Sequence, residues 1–237
     1  MKRQENIYGY LFILPWIIGF LGLTFGPMAF SLYGSFTNYN VTSRMDYIGL
    51  SNYKEMLFHD NLFWTSMANT LFFVLFTVPL TTIAAILISV MLNQDVPGMR
   101  FFRTIYYLPA VLSGVGVYLL WMQLLDPSAG LINQFLGLFG INGPNWLFDA
   151  NWSKPSLILM KLWSAGGAML LYLSAMQGIS KSLYEAASIE GATNFQKFFK
   201  ITLPLISPII FFDVITSTIG SFQIFQEAYL SLIHISE

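Results

Sequence analysis

The sequence predicts an all-α polytopic membrane protein with five transmembrane helices and a cytoplasmic N-terminus, and three observations carry that prediction. Apolar residues make up 55% of the 237 positions and charged residues only 10%, whereas a soluble domain carries about 25% charge to cover its surface. Mean hydropathy is +0.61. Five segments are each long and apolar enough to cross a hydrocarbon core that needs about 20 residues of helix. The net charge of −1 offers no basic surface for nucleic acid, and the absence of Cys removes disulfides, thiol catalysis and Cys-based metal sites. His59 and His234 cannot form a metal site alone.

The first segment, Ile7 to Phe36, carries no charge. It follows Met1-Lys2-Arg3 but exceeds the apolar core of a signal peptide and lacks an A-x-A-like cleavage site, so a retained helix is expected. The second runs from Asn69 to Leu92, the third from Thr104 to Leu125, the fourth from Pro155 to Ile179, and the fifth from Leu203 to about Phe225. Pro15, Pro27, Pro79 and Pro109 fall inside spans, where neighbouring helices satisfy the freed carbonyls, so kinks are expected there. Gly22 and Gly26 form a GxxxG read as local packing, and Trp146, Trp152 and Trp163 are read as marks of the outer interface.

Orientation follows from Lys and Arg in the short loops. With the N-terminus inside, Lys2, Arg3, Arg100, Arg103, Lys181, Lys197 and Lys200 are cytoplasmic, and only Arg44, Lys54 and Lys154 lie outside. The longer polar loops, about 37–68 and 126–154, then face outward. The stretch between spans four and five faces the cytoplasm.

That stretch has its own pattern. Ser182 to Glu185 has capping-box spacing, so a short helix is expected to start there and stop at Gly191. Thr193 to Gln196 repeats the start signal, followed by Phe195, Phe198 and Phe199 on one helical face. Pro204 fits the first turn of the next span. Periodicity leaves two readings open: an amphipathic segment lying on lipid, or a docking helix whose alanines allow a partner's backbone to approach.

Glu185-Ala186-Ala187, Gly191-Ala192, Phe198, Ile201, Leu203-Pro204 and Pro208 resemble the EAA loop of binding-protein-dependent ABC importer permeases. Glu190 stands where that family usually has Asp, a change that keeps the charge. N-T-L-F-F at Asn69, F-F-R-T-I-Y-Y-L-P-A at Phe101 and the Leu162 to Ile179 region are similar to the carbohydrate branch, the maltose and glycerol-3-phosphate permeases. The resemblance implies import of a sugar or related polyol by alternating access. The alternatives are a solute such as glycerol-3-phosphate, or a structural membrane protein with a surface-lying loop. It implies a coupling loop at 180–203, in which Glu185, Ala186, Ala187, Gly191, Ala192, Phe195, Phe198, Leu203 and Pro204 transmit motion from a cytoplasmic ABC ATPase dimer. It also implies a second homologous permease and an extracytoplasmic solute-binding protein. No G-x-x-x-x-G-K-[ST], H-E-x-x-H or G-x-S-x-G occurs, so ATP and Mg would be used by the partner ATPase and no cofactor is expected on this chain.

Family permeases continue into a sixth span through a G-G-P-like loop. Leu230 to Glu237 reads instead as a translated sequencing adapter. Residues 1–229 are therefore expected to be an incomplete importer domain and 230–237 a non-native tail, in which His234 and Glu237 carry no functional weight.

Two charges fall within spans. Lys161 lies only about 9 Å inside Pro155 at 1.5 Å per residue and is read as snorkelling outward. Asp213 lies about 13–14 Å past Pro204, near mid-membrane, and is a candidate pathway residue; depth alone leaves a pairing with Lys161 open. Tyr172, Ser217, Thr218, Phe222 and Gln223 sit at similar depth and offer the hydroxyls and aromatic faces a sugar path needs, while ordinary interhelical packing is the competing reading.

Overall fold

The computed structural model describes residues 2–40, 45–112 and 114–223. Arg44, Phe225 and the expected tail 230–237 lie outside the described residues, and so do the side chains of Lys2 and Arg3.

The chain divides into two units, Met1–Ala68 and Asn69–Glu237. In the first, α1 (Lys2–Gly19) passes through Pro15 into a π-helical segment, Phe20–Phe25, and then α2, Gly26–Gly34. Tyr10, Phe12, Trp16 and Leu23 are exposed along this helix, as lipid-facing side chains must be. A Cβ on Gly22 would meet nothing within 4 Å, so the expected GxxxG packing is replaced by a π turn. Beyond α2, one antiparallel bridge joins Thr37 to Tyr47, and α3 (Ser51–Phe58) returns Asn52 to donate to the carbonyls of Ser35 and Thr37, both at 2.9 Å.

The second unit holds the core. The helix that leads into it, α4 (Asn61–Leu92), runs unbroken through Pro79 and begins eight residues before the expected Asn69. Gly98, with φ +85°, turns the chain into α5 (Met99–Val111). Arg103 donates through Nε and Nη2 to the carbonyl of Leu92, at 3.2 and 2.8 Å, satisfying the end of α4. After α6 (Gly114–Leu124), Asp126 accepts from the amides of Ser128 and Ala129 and from the Ser128 hydroxyl at 2.7–2.8 Å. The Ala129 amide, then Ser128, hold this carboxyl below its ordinary range. The loop carries α7 (Leu131–Gly137), and Asn133 pins it by accepting from Trp146 at 2.7 Å. Then come α8 (Ser153–Trp163), α9 (Gly166–Gln177), α10 (Lys181–Ile189), α11 (Asn194–Lys197), a π turn at Phe198–Thr202, and α12 (Leu203–Phe222).

Among the described residues three helical stretches are long and apolar enough to cross a membrane, Gly9–Gly34, Asn61–Leu92 and Asn194–Phe222, and two bent pairs, α5 with α6 and α8 with α9, raise the number to five if each pair is one span. The breaks do not fall where proline placed them. The fourth span bends by 44° between Trp163 and Gly166, where no proline occurs. The third breaks at Leu112, beyond Pro109. Trp163, expected at the outer interface, ends α8 at the first of these breaks and packs against Trp121 at 5.8 Å. Trp146 and Trp152 do pair with each other in the loop, 5.0 Å apart.

The main core joins α4, α9 and α12 through Ala85, Ile86, Met169, Tyr172, Leu173, Met176 and Ile206. Ser89, fully buried, donates to the carbonyls of Ala85 at 2.6 Å and Met169 at 2.8 Å, so one hydroxyl links α4 to α9. A smaller cluster of Val117, Trp121, Leu125, Leu147 and Met160 lies under the loop. Without a hydrophobic drive in lipid, such close packing and shared hydrogen bonds hold the helices together.

Candidate functional site

Two features are built on this frame, an exposed helical corner and an intramembrane cavity. The corner begins at Ser180, whose extended backbone starts α10. Its hydroxyl pairs with that of Ser182 at 2.8 Å. The expected capping box of Ser182 and Glu185 is not formed, because the cap falls two residues earlier, at Ser180, and Ser182 lies inside the helix. The stop is where it was expected: Gly191 adopts φ +79°, its amide donates to Ser188 and that of Ala192 donates to Ala187 at 2.9 Å. These two bonds satisfy the last carbonyls of the helix and need a left-handed residue, which glycine supplies at least cost.

Thr193 then caps α11. Its hydroxyl accepts from the Gln196 amide at 3.3 Å and its own amide donates to Gln196 Oε1 at 2.8 Å, the reciprocal pair expected from the sequence. Two cross-links fix the corner: Lys197 donates to Ser188 Oγ at 2.7 Å, and the Tyr184 hydroxyl pairs with Thr202 Oγ1 at 2.8 Å. Neither was legible in the motif spacing. Pro204 lies in the first turn of α12, as expected, although α11 runs through the π turn into α12 without interruption.

Glu185, Ala186, Gly191 and Phe195 are exposed, and Ala187 and Ala192 are partly so. The aromatic face splits. Phe195 stays 72% exposed and packs at a tilt on Phe199 with ring centroids 4.5 Å apart, while Phe198 packs against the main core and Leu203 is partly buried. Lys181 of α10 lies 3.8 Å from Asp95. The loop between spans two and three and the corner between spans four and five therefore share one end of the unit, as the alternation of spans requires.

The cavity, about 360 Å3, lies between α4, the break of α8 and α9, and α12. Thr77 and Thr81 line it from α4, Lys161 and Ser164 from the break, and Asp213, Ser217 and Ser221 from α12. These last three recur at i, i+4 and i+8, one face of a helix. Tyr172 is fully buried and donates to Asp213 Oδ2 at 2.5 Å; Thr82 donates to the same oxygen at 3.5 Å and Ser217 to Oδ1 at 3.4 Å. Of the expected path residues, the cavity gathers Asp213 and Ser217, with Tyr172 behind them. Thr218, Phe222 and Gln223 do not line it. Phe222 is 54% exposed because it sits beside, not on, the inward stripe. Lys161, expected to snorkel outward, is among the residues lining this cavity. Thr77, Thr81, Ser164 and Ser221 were missed, although a Thr pair at i, i+4 in an apolar span was a legible signal. Among the described residues no group of three His, Cys, Asp or Glu could hold a metal.

Residues 48–230 match the family of binding-protein-dependent transport system inner membrane components. The chain is 41% identical over 230 residues to the probable ABC transporter permease protein YesP of Bacillus subtilis, covering 96% of this chain and 74% of that one. It is 34% identical to the lactose transport system permease protein LacF of Rhizobium radiobacter, covering 97% and 77%. A crystal structure of a bacterial ABC transporter involved in the import of the acidic polysaccharide alginate superposes with a TM-score of 0.72 at 33% identity, over 88% of this chain and 70% of that one. These relatives are transport permease components and not enzymes. With an all-α, multi-span fold, an exposed corner carrying the EAA residues, and these matches over nearly its whole length, the chain belongs to the binding-protein-dependent transport system inner membrane component family.

Proposed function

We propose that this chain is the permease subunit of an ATP-driven ABC importer that carries a sugar or related polyol across the cytoplasmic membrane of a prokaryote by alternating access. ATP is hydrolysed by a separate cytoplasmic ATPase dimer docked on α10 and α11. The observation that carries this reading is the exposed corner, in which Glu185, Ala186 and Gly191 face outward while Lys197 and Tyr184 tie α10 to the helix that continues as α12. Small residues on its outer face admit a partner's backbone, and Glu185 offers a charge to a partner's cation. Motion imposed there is handed directly to the element that bears Asp213 and Ser217.

The cargo class is supported by the relatives: one is a lactose permease, one an arabinooligosaccharide permease, one a trehalose/maltose permease. A cavity lined by hydroxyls suits the same chemistry, since hydroxyl-rich ligands need paired hydrogen bonds. A second homologous permease would complete the path. An extracytoplasmic solute-binding protein would deliver the cargo, in keeping with the alginate transporter solved in complex with its periplasmic protein. The N-terminus would be cytoplasmic, on the side of the corner.

The test is co-purification and uptake. Membranes carrying the chain with its partner permease, ATPase and binding protein should take up a labelled oligosaccharide in an ATP-dependent manner. Glu185→Lys should strip the ATPase from the complex and stop uptake. Retained ATPase in the charge-reversed complex would count against docking at this corner and favour a segment lying on lipid.

A further inference from the structure

The segment from Pro127 to Phe148 carries no charged residue, although it makes up most of the loop between the third and fourth spans. Its helix, α7, and the turn that follows present Leu131, Phe135, Leu138 and Phe139 at between 61% and 80% exposure. These positions recur at i, i+4, i+7 and i+8, one face of a helix. The other face is held down. Ile132 packs on the cluster of Trp121, Leu125 and Leu147, and Asn133 accepts from Trp146 and donates to the carbonyls of Pro127 and Pro144. The helix of the other long polar loop, α3, is built differently, with Lys54 and Glu55 on it and His59 and Asp60 just beyond. An exposed apolar face of this kind marks a contact with protein or with membrane.

Two cations fix where that face lies along the membrane normal. At the end of α4, Arg103 donates to the Leu92 carbonyl. Farther back along the same helix, Lys154 Nζ sits 4.9 Å from the centroid of the Phe72 ring. From Phe72 to Leu92 the helix rises about 30 Å at 1.5 Å per residue, the thickness of a hydrocarbon core. Lys154 stands in the first turn of α8, directly after Trp152. Trp152 packs edge-on against Trp146 at 5.0 Å, and Trp146 donates to Asn133 of α7 at 2.7 Å. Direct contacts therefore lead from the edge of the hydrocarbon to α7 through two tryptophans, the side chain that favours the membrane–water interface.

We infer that α7 is an interfacial helix, with Leu131, Phe135, Leu138 and Phe139 seated among the glycerol and upper acyl-chain groups of the leaflet opposite the corner. The level of the helix and its flanking tryptophans select lipid as the occupant. The lack of charge agrees, since a soluble partner is steered and oriented by complementary charges that this face does not offer. Apolar burial, and not attraction to anionic headgroups, is what holds it. The inference rests on the multi-span fold and takes from the permease reading only the subunits used in its test.

The chain contains no Cys, so single-Cys variants each carry one environment-sensitive fluorophore. The complete transporter, with Cys-free partner permease and ATPase, is placed in phosphatidylcholine liposomes containing lipid spin-labelled either high on the acyl chain or near its end. Labels at Phe135→Cys and Leu138→Cys should lose most fluorescence to the high spin label, less to the deep one and little to aqueous iodide, with or without the binding protein. Lys54→Cys on α3 should show the reverse, a loss to iodide and none to lipid. If one α7 variant does not assemble, the other gives the same reading. Iodide quenching of the α7 labels overturns the inference, and if added binding protein abolishes that quenching, the face belongs to the binding protein. Protection from both iodide and lipid also overturns it and assigns the face to a partner subunit. Co-purification of the subunits is scored separately, so a failure of the permease reading is told apart from a failure of this one.

Discussion

Gly166 opens α9 at a point where the helix touches the backbone of α5. A Cβ built there would lie 2.0 Å from the Tyr106 carbonyl oxygen, 3.0 Å from its carbon and 3.1 Å from Tyr107 Cα. Ordinary contact between non-bonded atoms needs about 3.5 Å, so Gly166→Ala forces the two helices apart by roughly 1.5 Å. The obstructing atoms are main chain and cannot rotate away. Overpacking of this kind costs about 1–3 kcal/mol, which at about 2–4 °C per kcal/mol for a chain of this length lowers the melting midpoint by roughly 2–12 °C. The neighbouring Gly167 is the internal control, because its Cβ would meet only Ala110 Cβ at 3.8 Å, an ordinary contact. Gly167→Ala should therefore melt at or slightly above wild type, alanine being the better helix former. The assay is thermal unfolding of the detergent-solubilised protein followed by tryptophan fluorescence. Coincident midpoints for the two variants would refute the close approach of α5 and α9.

Tyr172→Phe removes the 2.5 Å donor from buried Asp213 and should cost about 1–3 kcal/mol in the same melt; combined with Asp213→Asn, the losses should be less than additive. Gly191→Ala places a Cβ on a residue at φ +79°, a local penalty of about 1–2 kcal/mol. It should reduce ATP-driven uptake far more than it lowers the melting midpoint, since the corner is exposed. Asp126 titrates below its ordinary value of 3.8 because the Ala129 amide, then Ser128, favour its charged form. A depressed folded value means that its contribution is full above the ordinary carboxylate range and disappears as pH falls through the folded value. Hydrogen exchange should find the amides of Ser128 and Ala129 protected at neutral pH and released in strong acid, and Asp126→Ala should release them at every pH.

Composition made the membrane class legible, and spacing made the corner legible nearly residue by residue, because Gly191 and the Thr193 to Gln196 box are local devices whose partners lie a few positions away. What was missed is mostly long-range. The Tyr184 to Thr202 and Lys197 to Ser188 links join different helices and depend on how the corner folds back. Kinks were expected at Pro15, Pro27, Pro79 and Pro109, but proline in lipid is compensated by neighbours, so α4 runs unbroken through Pro79 while the proline-free Ser164 to Gly167 stretch gives way. Depth counting pointed to Asp213, which does line the cavity, yet depth ignores azimuth: Ser217 and Ser221 share its stripe, whereas Thr218 and Phe222 lie one position around the helix.

The seamless passage from the corner into the fifth span has a mechanical meaning. Asn194–Phe222 is one continuous helix, with the five-residue π turn Phe198–Thr202 as its only irregularity. Phe198 and Asp213 are separated by about 22 Å along its axis at 1.5 Å per residue. No slack linker lies between them, so the element would act as a tiller: a swing of about 10° at the corner end would sweep the acid in the cavity sideways by about 4 Å, wider than a hydrogen bond is long. The Tyr172, Thr82 and Ser217 contacts on Asp213 would then be the detent that such a stroke has to release.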